Sequence, residues 1–401
     1  MAEAAPDRFK RYEFPRLLDE SRSAMAGFLR VPKEELVFVT DTTTAVDIVL
    51  RSLHFQPGDL ILYFDTIYGS CEKVIAHVVE TTPVQALKLS ISYPITDYEV
   101  VQLFQSALHT HRGHVRLALF ETISSLPATR LPFERLTEIA RQDGVLTLVD
   151  GTHGVGHLPL DLITLKPDFF VSSCHKWLFT PRGCTIFYVP RRIQALLRSA
   201  LPTFRHLTPE PSPEMVFGPT IEGISLPTRL AKGDFEVQFE SAGAVGSIPC
   251  LCIPEALLFR KDVCGGEARI TAHCMGLARR MAVRVASILF TSSMEGDFVQ
   301  DCAMFNVMLP LMIKEGSGSE DETQRNQGTA TVPPEQASAV TEYITRRMLE
   351  QYGLFVAVFA YRNNWWARFS TQIYLDEGDF EYGARVLKAL CEEIREGKHV
   401  Q

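Results

Sequence analysis

A lysine stands directly after an apolar stretch that is typical of a buried strand. Phe169-Phe-Val-Ser-Ser173 is followed at once by Cys174-His175-Lys176-Trp177. Moving an ammonium group out of water is costly unless the group is paired, neutral or covalently bound. The position of Lys176 therefore indicates that its amine has a chemical role.

A carboxylate and a group of hydroxyls follow two other apolar stretches. Asp150 ends the run Val-Leu-Thr-Leu-Val-Asp, and Thr40-Asp41-Thr42-Thr43-Thr44 follows Leu-Val-Phe-Val at the start of an apolar helical segment. A simple helix cap would also explain either position. In an α/β sheet, however, ligands bind at the carboxyl ends of the strands, and a helix N-terminus suits a phosphate group.

One cofactor requires all three of these features. Pyridoxal phosphate needs an amine for a Schiff base, a carboxylate that keeps its pyridine nitrogen protonated, and an anion site for its phosphate. Lys176, Asp150 and the threonine cluster supply one each. The residues therefore indicate an enzyme that uses pyridoxal phosphate.

Two histidines four residues apart offer a different interpretation. His153 and His157 lie in Asp-Gly-Thr-His-Gly-Val-Gly-His, where this spacing would suit a metal site on a helix. The interleaved glycines argue against such a helix. We therefore predict no metal at this position.

The elements that must position these residues alternate in type between residues 36 and 190. Helix-length amphipathic segments separate short β-rich runs at 36–39, 60–64, 86–91, 115–121, 145–151, 169–173 and 185–189. This alternation predicts βαβ units around a mostly parallel sheet, hence an α/β fold. Beyond about residue 255, long helical segments and an apparent strand pair at 302–313 predict a smaller α+β domain.

The predicted organisation has three parts. An N-terminal helical segment covers 1–35, a large cofactor-binding α/β domain covers 36–255, and a small C-terminal α+β domain covers 256–401. Segment 314–336 is polar, rich in glycine and serine and without periodicity. It is predicted to be a mobile surface loop.

Composition argues against several other classes of protein. The chain has 401 residues, 46% of them hydrophobic, and its net charge of −8 is spread without a basic face for nucleic acid or a membrane surface. It has neither a signal-peptide core nor a transmembrane run, so we expect a cytoplasmic protein. The nine cysteines lack zinc spacing and are predicted to be reduced.

Longer motifs resemble those of a known family. They are RYEFPRLLDESR (11–22), DTTTAV (41–46), YGSCEK (68–73), ISSLPATRLPFERL (123–136), VDGTHGVGHLPLDL (149–162), CHKWLFTPRG (174–183) and ARFSTQIY (367–374). The chain resembles fold-type I pyridoxal phosphate enzymes of the class V aminotransferase family. Within that family it is most similar to the isopenicillin N epimerase-like and hercynylcysteine sulfoxide lyase-like branch. The resemblance implies a seven-stranded, mostly parallel sheet between helices.

The resemblance implies a role for each candidate residue. Lys176 would form the Schiff base and later carry the Cα proton, Asp150 would hold the pyridinium nitrogen, and His153 would bond the phenolic oxygen. Tyr68 would stack on the ring or act as an acid over the substrate. The phosphate would be bound by four side chains, those of Thr42, Thr43, Ser173 and His175.

The resemblance also places the substrate. Arg368 would hold the substrate α-carboxylate as a bidentate fork. Beyond it, Tyr361, Trp365 and Trp366 are expected to line the pocket.

The carbanion formed at Cα has several outcomes, so the reaction stays open. It can be reprotonated, passed to the cofactor or made to expel a β-substituent, which correspond to an epimerase, an aminotransferase and a β-lyase. A carbon–sulfur lyase is favoured because Tyr68 is placed to protonate a departing sulfur group. A cysteine desulfurase would need a cysteine on a flexible loop, and 314–336 has none, while Cys302 and Cys391 fit buried patterns.

Two departures from the family pattern favour the opposing class, a non-catalytic relative. The branch reads Gly-Thr-x-Asp where this chain has Gly243-Ala244-Val245-Gly246, and the family's threonine reaches the phosphate in the neighbouring subunit of a homodimer. Ala244 cannot donate that bond, so weaker cofactor binding is expected. The family also has a segment upstream of Arg11 that we expect to be missing.

Overall fold

The computed structural model of the chain describes residues 4–197, 233–240, 248–294, 302–314 and 329–400. The chain divides into two compact units. The first comprises Met1–Ser90, Val101–Thr122 and Pro132–Val263, and the second comprises Ile91–Val100, Ile123–Leu131 and Cys264–Gln401. No helix within the described ranges is long and apolar enough to cross a membrane.

The first unit contains a seven-stranded sheet in the order β1-β7-β6-β5-β4-β2-β3. Its strands are β1 (Leu36–Val39), β2 (Leu60–Phe64), β3 (Gln85–Leu89), β4 (Val115–Glu121), β5 (Leu146–Asp150), β6 (Phe169–Ser173) and β7 (Thr185–Tyr188). Strands β2 to β6 pair in parallel, and only β7 runs antiparallel to its neighbours β1 and β6. The predicted mostly parallel seven-stranded sheet is confirmed.

The α-helices of the described chain belong to both units, with the last three of them in the second. In chain order they are α1 (Pro6–Arg8), α2 (Phe14–Leu29), α3 (Thr42–Ser52), α4 (Gly69–Thr81), α5 (Asp97–Thr110), α6 (Phe133–Gln142), α7 (Leu162–Leu165), α8 (Cys174–Trp177), α9 (Asp234–Glu240), α10 (Ile253–Leu258), α11 (Glu267–Leu289), α12 (Ala337–Tyr352) and α13 (Glu377–Arg395). A π-helical turn, Phe259–Val263, continues α10.

Burial explains why the strands of the first unit could be recognised. Every residue of β2 and of β6 is buried. Parallel strands covered on both faces read as continuous apolar runs, so their polar ends mark the edge of the sheet. At that edge Asp41 caps α3, because its Oδ1 accepts a hydrogen bond from the Thr44 backbone nitrogen at 2.8 Å.

The second unit contains a four-stranded sheet in the order β10-β11-β8-β9. Its strands are β8 (Met304–Ile313), β9 (Ala330–Val332), β10 (Ala357–Tyr361) and β11 (Asn364–Ser370). The strand pair predicted at 302–313 is wrong, since β8 is a single strand of ten residues. The predicted loop at 314–336 ends in β9 and a 3₁₀ turn, Pro334–Gln336, and its residues 315–328 lie outside the described residues.

Candidate active site

Hydroxyl groups from three strand ends meet at the carboxyl edge of the first unit's sheet. Thr42 follows β1, Thr152 follows β5 and Ser173 ends β6. The Thr42 Oγ1 atom lies 2.6 Å from Thr152 Oγ1 and 3.2 Å from Ser173 Oγ. The fold therefore brings two of the predicted phosphate ligands together and adds Thr152, which the motifs did not single out.

The remaining predicted phosphate ligands lie around the same helix start. Thr43 is in the first turn of α3, where its hydroxyl hydrogen-bonds the buried Cys71 thiol. His175 Nδ1 is buried and has no hydrogen-bond partner among the described residues. Burial, followed by the positive charges of Lys176 and Arg182, lowers the pKa of His175. A phosphate fits the start of α3, since the hydroxyls of Thr42 and Ser173 meet there at a helix N-terminus, and His175, two residues after Ser173, has an unused ring nitrogen.

Asp150 is a buried carboxylate at the end of β5. Its Oδ1 accepts a hydrogen bond from the Thr152 backbone nitrogen at 2.9 Å. Burial raises its pKa, while the Thr152 side chain and backbone act in the opposite direction by stabilising the charged form. A cationic ring nitrogen beside this carboxylate would relieve the desolvation penalty, so Asp150 fits a pyridinium.

Lys176 and His153 lie in direct contact. The Lys176 Nζ atom is 3.1 Å from His153 Nε2, and the Trp177 indole nitrogen donates to His153 Nδ1 at 3.2 Å. The amine and the imidazole come from different segments, α8 and the loop after β5. The structure thus joins two residues that the sequence proposed separately.

Glycines allow the loop after β5 to approach the lysine turn. A Cβ atom at Gly151 would lie 2.2 Å from the Phe170 ring, and one at Gly156 would lie 2.6 Å from the carbonyl oxygen of Trp177. Both distances are shorter than any tolerated contact. Gly156, one of the glycines that argued against a metal-binding helix, is thus required for close packing, as is Gly151. Over the described residues, no group of three or more His, Cys, Asp or Glu side chains could hold a metal ion.

Arg260 joins the same two segments and was missed in the sequence. It is buried, and its guanidinium donates to the Trp177 carbonyl at 2.6 Å and to the Gly156 carbonyl at 2.8 Å. Its cationic carbon also lies 4.8 Å from the centre of the Phe179 ring. Arg260 is 83 residues from Trp177 in sequence, so no local pattern could have revealed the contact.

Glu121 is a second buried carboxyl group that the sequence reasoning missed. It ends β4 and pairs in register with Asp150 on β5. Its Oε2 makes no hydrogen bond within the described part of the chain. Burial, then the negative charge of Asp150, raises the pKa of Glu121 well above its usual value, although Thr66 and the Tyr68 backbone oppose the shift. Its place at a strand end, like that of Asp150, was the available signal.

Tyr68 stands at the start of α4 and is 53% exposed.

Arg368 belongs to the second unit, on β11. Its Nη1 donates to the Ser125 carbonyl at 2.9 Å and to the Ser125 hydroxyl at 3.1 Å. Its buried Nε has no partner among the residues described, and burial lowers the pKa of the guanidinium. An anion would complete the hydrogen bonding of Arg368.

The expectation that Trp365 lines the pocket is wrong. Its side chain is fully buried in the core of the second unit, and its indole donates to Thr341 Oγ1 at 3.2 Å. Side chains alternate along β11, so Trp366 and Arg368 share the opposite, partly exposed face. The Trp366 indole donates to the Tyr361 carbonyl at 3.2 Å. Ala244 and Gly246 lie outside the described residues.

The two cysteines considered for a desulfurase, Cys302 and Cys391, fit a structural role. All nine cysteines of the chain have free thiols. Cys302 and Cys391 are buried, as predicted, and burial raises the pKa of Cys391. A buried thiol of this kind is a poor nucleophile. Neither residue therefore resembles a desulfurase cysteine.

Comparisons with known proteins identify a family, similar proteins and a shared fold. The model of the family described as class V aminotransferase matches residues 10–205. An L-cysteine desulfhydrase-like protein of Epichloe uncinata is 35% identical over 98% of this chain and 88% of the relative. The hercynylcysteine sulfoxide lyase of Schizosaccharomyces pombe is 24% identical over 97% of this chain and 88% of the relative. The solved complex of a cystine C–S lyase with cysteine persulfide matches with a TM-score of 0.71 at 17% identity, covering 95% of this chain and 87% of that one, which shows a shared fold.

Proposed function

We propose that this chain, which belongs to the class V aminotransferase family of pyridoxal phosphate-dependent enzymes, is a carbon–sulfur β-lyase acting on an amino acid. The observation that carries the proposal is the contact between Lys176 and His153 beside the buried Asp150, in a chain whose relatives are named for carbon–sulfur chemistry. When bound, pyridoxal phosphate supplies a protonated ring that accepts the electrons of a bond broken at Cα.

Three residues of the first unit would bind and use the cofactor. The Lys176 amine would attach to its carbonyl carbon and afterwards move the Cα proton. Asp150 would accept the hydrogen bond of the ring nitrogen, supported by its burial and by the Thr152 bond that favours its charged form. His153 would donate from Nε2 to the phenolic oxygen, supported by its position against the lysine amine.

The phosphate would occupy the site at the start of α3. Its proposed ligands are the predicted side chains, those of Thr42, Thr43, Ser173 and His175. Support comes from the hydroxyl contacts of Thr42 and from the unpartnered Nδ1 of His175. Each hydrogen bond to the charged phosphate is worth about 1.5–3 kcal/mol, so the set favours tight binding.

The substrate would be held by Arg368 and cleaved with the help of Tyr68. The unpartnered Nε of Arg368 supports the binding of an α-carboxylate, since Ser125 engages the guanidinium only through Nη1. The exposed phenol of Tyr68 is available to protonate a departing sulfur group. With cysteine as substrate and one water consumed, the products would be sulfide, pyruvate and ammonia.

We propose further that the enzyme is a cytoplasmic homodimer. The family builds each active site from two subunits, and the segment with Ala244 would lie at that interface. The cytoplasmic location is supported by sequence composition alone. Light scattering of the purified protein would test the dimer, because a monomer would contradict the shared site.

Product analysis tests the proposed reaction. The protein, reconstituted with pyridoxal phosphate, is given a panel of amino acids with a sulfur substituent on Cβ, in deuterated water. Released sulfur compound and pyruvate are expected, and both should vanish in Lys176→Ala but not in Lys73→Ala, an exposed lysine on α4. Deuterium at Cα without sulfur release would instead indicate an epimerase or an aminotransferase. If neither product nor deuterium exchange were detected, the proposal of an enzyme of this class would be contradicted.

A further inference from the structure

Trp177, the residue after the lysine, donates a hydrogen bond to His153 that bears on which ring nitrogen of His153 carries a proton. An indole nitrogen can only donate a hydrogen bond. Trp177 Nε1 donates to His153 Nδ1 at 3.2 Å, so Nδ1 must be the accepting nitrogen. In a neutral imidazole the proton then sits on Nε2.

The tautomer of His153 is linked to the charge of Lys176. The Nε2 atom lies 3.1 Å from the Lys176 amine, and an Nε2–H group can donate only to an unprotonated amine. An ammonium group would need the Nε2 lone pair. The imidazole proton would then move to Nδ1, where it would face the indole N–H of Trp177.

The indole is held in place on several sides. Its ring lies against His157, with centroids 4.0 Å apart, and His157 Nδ1 contacts the His153 carbonyl at 2.9 Å. Burial lowers the pKa of His157 to about 3, so this ring is neutral. The Trp177 carbonyl accepts a hydrogen bond from the buried Arg260. These contacts fix the orientation of the indole N–H.

We propose that Trp177 is a positioning residue that holds His153 in its Nε2–H tautomer and thereby favours the unprotonated, nucleophilic form of Lys176. The same Nε2–H would later face the phenolic oxygen of the cofactor, and only this consequence rests on the proposed function.

Other titratable groups of the described chain also act on Lys176. Among them are Glu121 of β4, Asp150 of β5 and His175 of α8. Replacing Trp177 by phenylalanine leaves all three unchanged. It also keeps an aromatic ring against His157. A change in the behaviour of Lys176 in this variant would therefore report the lost indole hydrogen bond.

The first test observes the tautomer directly, in the full chain without added cofactor. Protein labelled with ¹⁵N-histidine is studied by long-range ¹H–¹⁵N correlation, and the His153 signals are assigned by their loss in His153→Gln. We expect a single Nε2–H tautomer in the wild type and a loss of that preference in Trp177→Phe. The control, Trp365→Phe, removes a buried indole hydrogen bond to Thr341 in the second unit and should leave His153 unchanged. A wild-type His153 protonated on Nδ1 would overturn the proposal without any variant.

The second test measures how fast Lys176 captures pyridoxal phosphate at different pH values, by the absorbance of the lysine-linked cofactor. In Trp177→Phe the pH profile should move to higher pH, and capture at neutral pH should slow about three- to tenfold, the value of one neutral hydrogen bond. Trp365→Phe should match the wild type. A general folding defect would lower the amplitude at every pH without moving the profile. A pH profile that does not move overturns the proposal. If the enzyme released no sulfur from any substrate, the proposed function would fail but the pH profile of cofactor capture would still test the role of Trp177.

Discussion

Gly156 offers the sharpest test of how the lysine turn is packed. A Cβ atom at this position would lie 2.6 Å from the Trp177 carbonyl oxygen, 2.7 Å from its carbon and 2.9 Å from the Leu178 nitrogen. These are backbone atoms, which cannot move aside as a side chain can. Gly156→Ala must therefore displace the turn that carries Lys176.

Two separate contributions set the cost of Gly156→Ala. The glycine has φ +80°, where an L-residue is strained by about 1–2 kcal/mol. Overpacking against the lysine turn adds about 1–3 kcal/mol. Gly113 provides a matched control, because it has φ +81° but nothing within 4 Å of its added Cβ. Gly113→Ala should show the backbone strain alone.

Thermal unfolding and cofactor retention measure the two variants. For a unit of this size, 1 kcal/mol corresponds to about 2–4 °C, so Gly156→Ala should melt roughly 2–12 °C below Gly113→Ala. It should also lose pyridoxal phosphate faster on gel filtration, while Gly113→Ala should retain it like the wild type. Equal melting temperatures and equal retention in the two variants would show that the contact with Trp177 does not constrain the site.

Three further substitutions probe the buried charges. Arg260→Met removes the donor to the Trp177 and Gly156 carbonyls and should lower the free energy of unfolding by about 2–6 kcal/mol, measured in urea. The exposed Arg280→Met should change the free energy of unfolding by less than about 1 kcal/mol. Glu121→Gln should become progressively more stable than the wild type as the pH rises above 4.5, the ordinary pKa of a glutamate. The reason is that folded wild-type protein retains a proton on Glu121 that the unfolded chain releases. Melting temperatures of the two proteins should converge below that pH, and the exposed Glu80→Gln should show no such trend. Arg368→Lys should raise KM about tenfold or more with little change in kcat, since an ammonium cannot form the bidentate fork, and steady-state kinetics would contradict this if KM were unchanged.

The strand ends of the first unit could be predicted because buried strands have a recognisable apolar sequence. Strands covered on both faces are apolar throughout, so the first polar residue after each run marks the edge of the sheet. Lys176, Asp150 and Thr42 were all found this way, and the structure places each at the carboxyl end of a strand. The family motifs then supplied the roles that spacing alone left open.

Contacts between distant segments could not be predicted in this way. Adjacent tryptophans on a strand must face opposite sides, yet which of them points inward depends on the helices that pack against the sheet. Trp365 faces the core of the second unit, so the sequence-based expectation failed for it, whereas its neighbour Trp366 lies on the opposite, partly exposed face. The role of Arg260 could not be predicted either, because Trp177 and Gly156 are distant from it in sequence and lie next to it only in the folded chain.

The two strand-end carboxyls show why position alone does not assign a charge. Glu121 and Asp150 lie in register on adjacent parallel strands, both buried, and each disfavours ionisation of the other. Hydrogen bonds favour the charged form of both acids, from Thr152 to Asp150 and from Thr66 and the Tyr68 backbone to Glu121, but the pKa of Glu121 is still raised well above its usual value. The proton is therefore retained more firmly by Glu121, and the negative charge settles on Asp150. A cationic ring nitrogen would therefore pair with Asp150, although both acids end neighbouring strands of the same sheet.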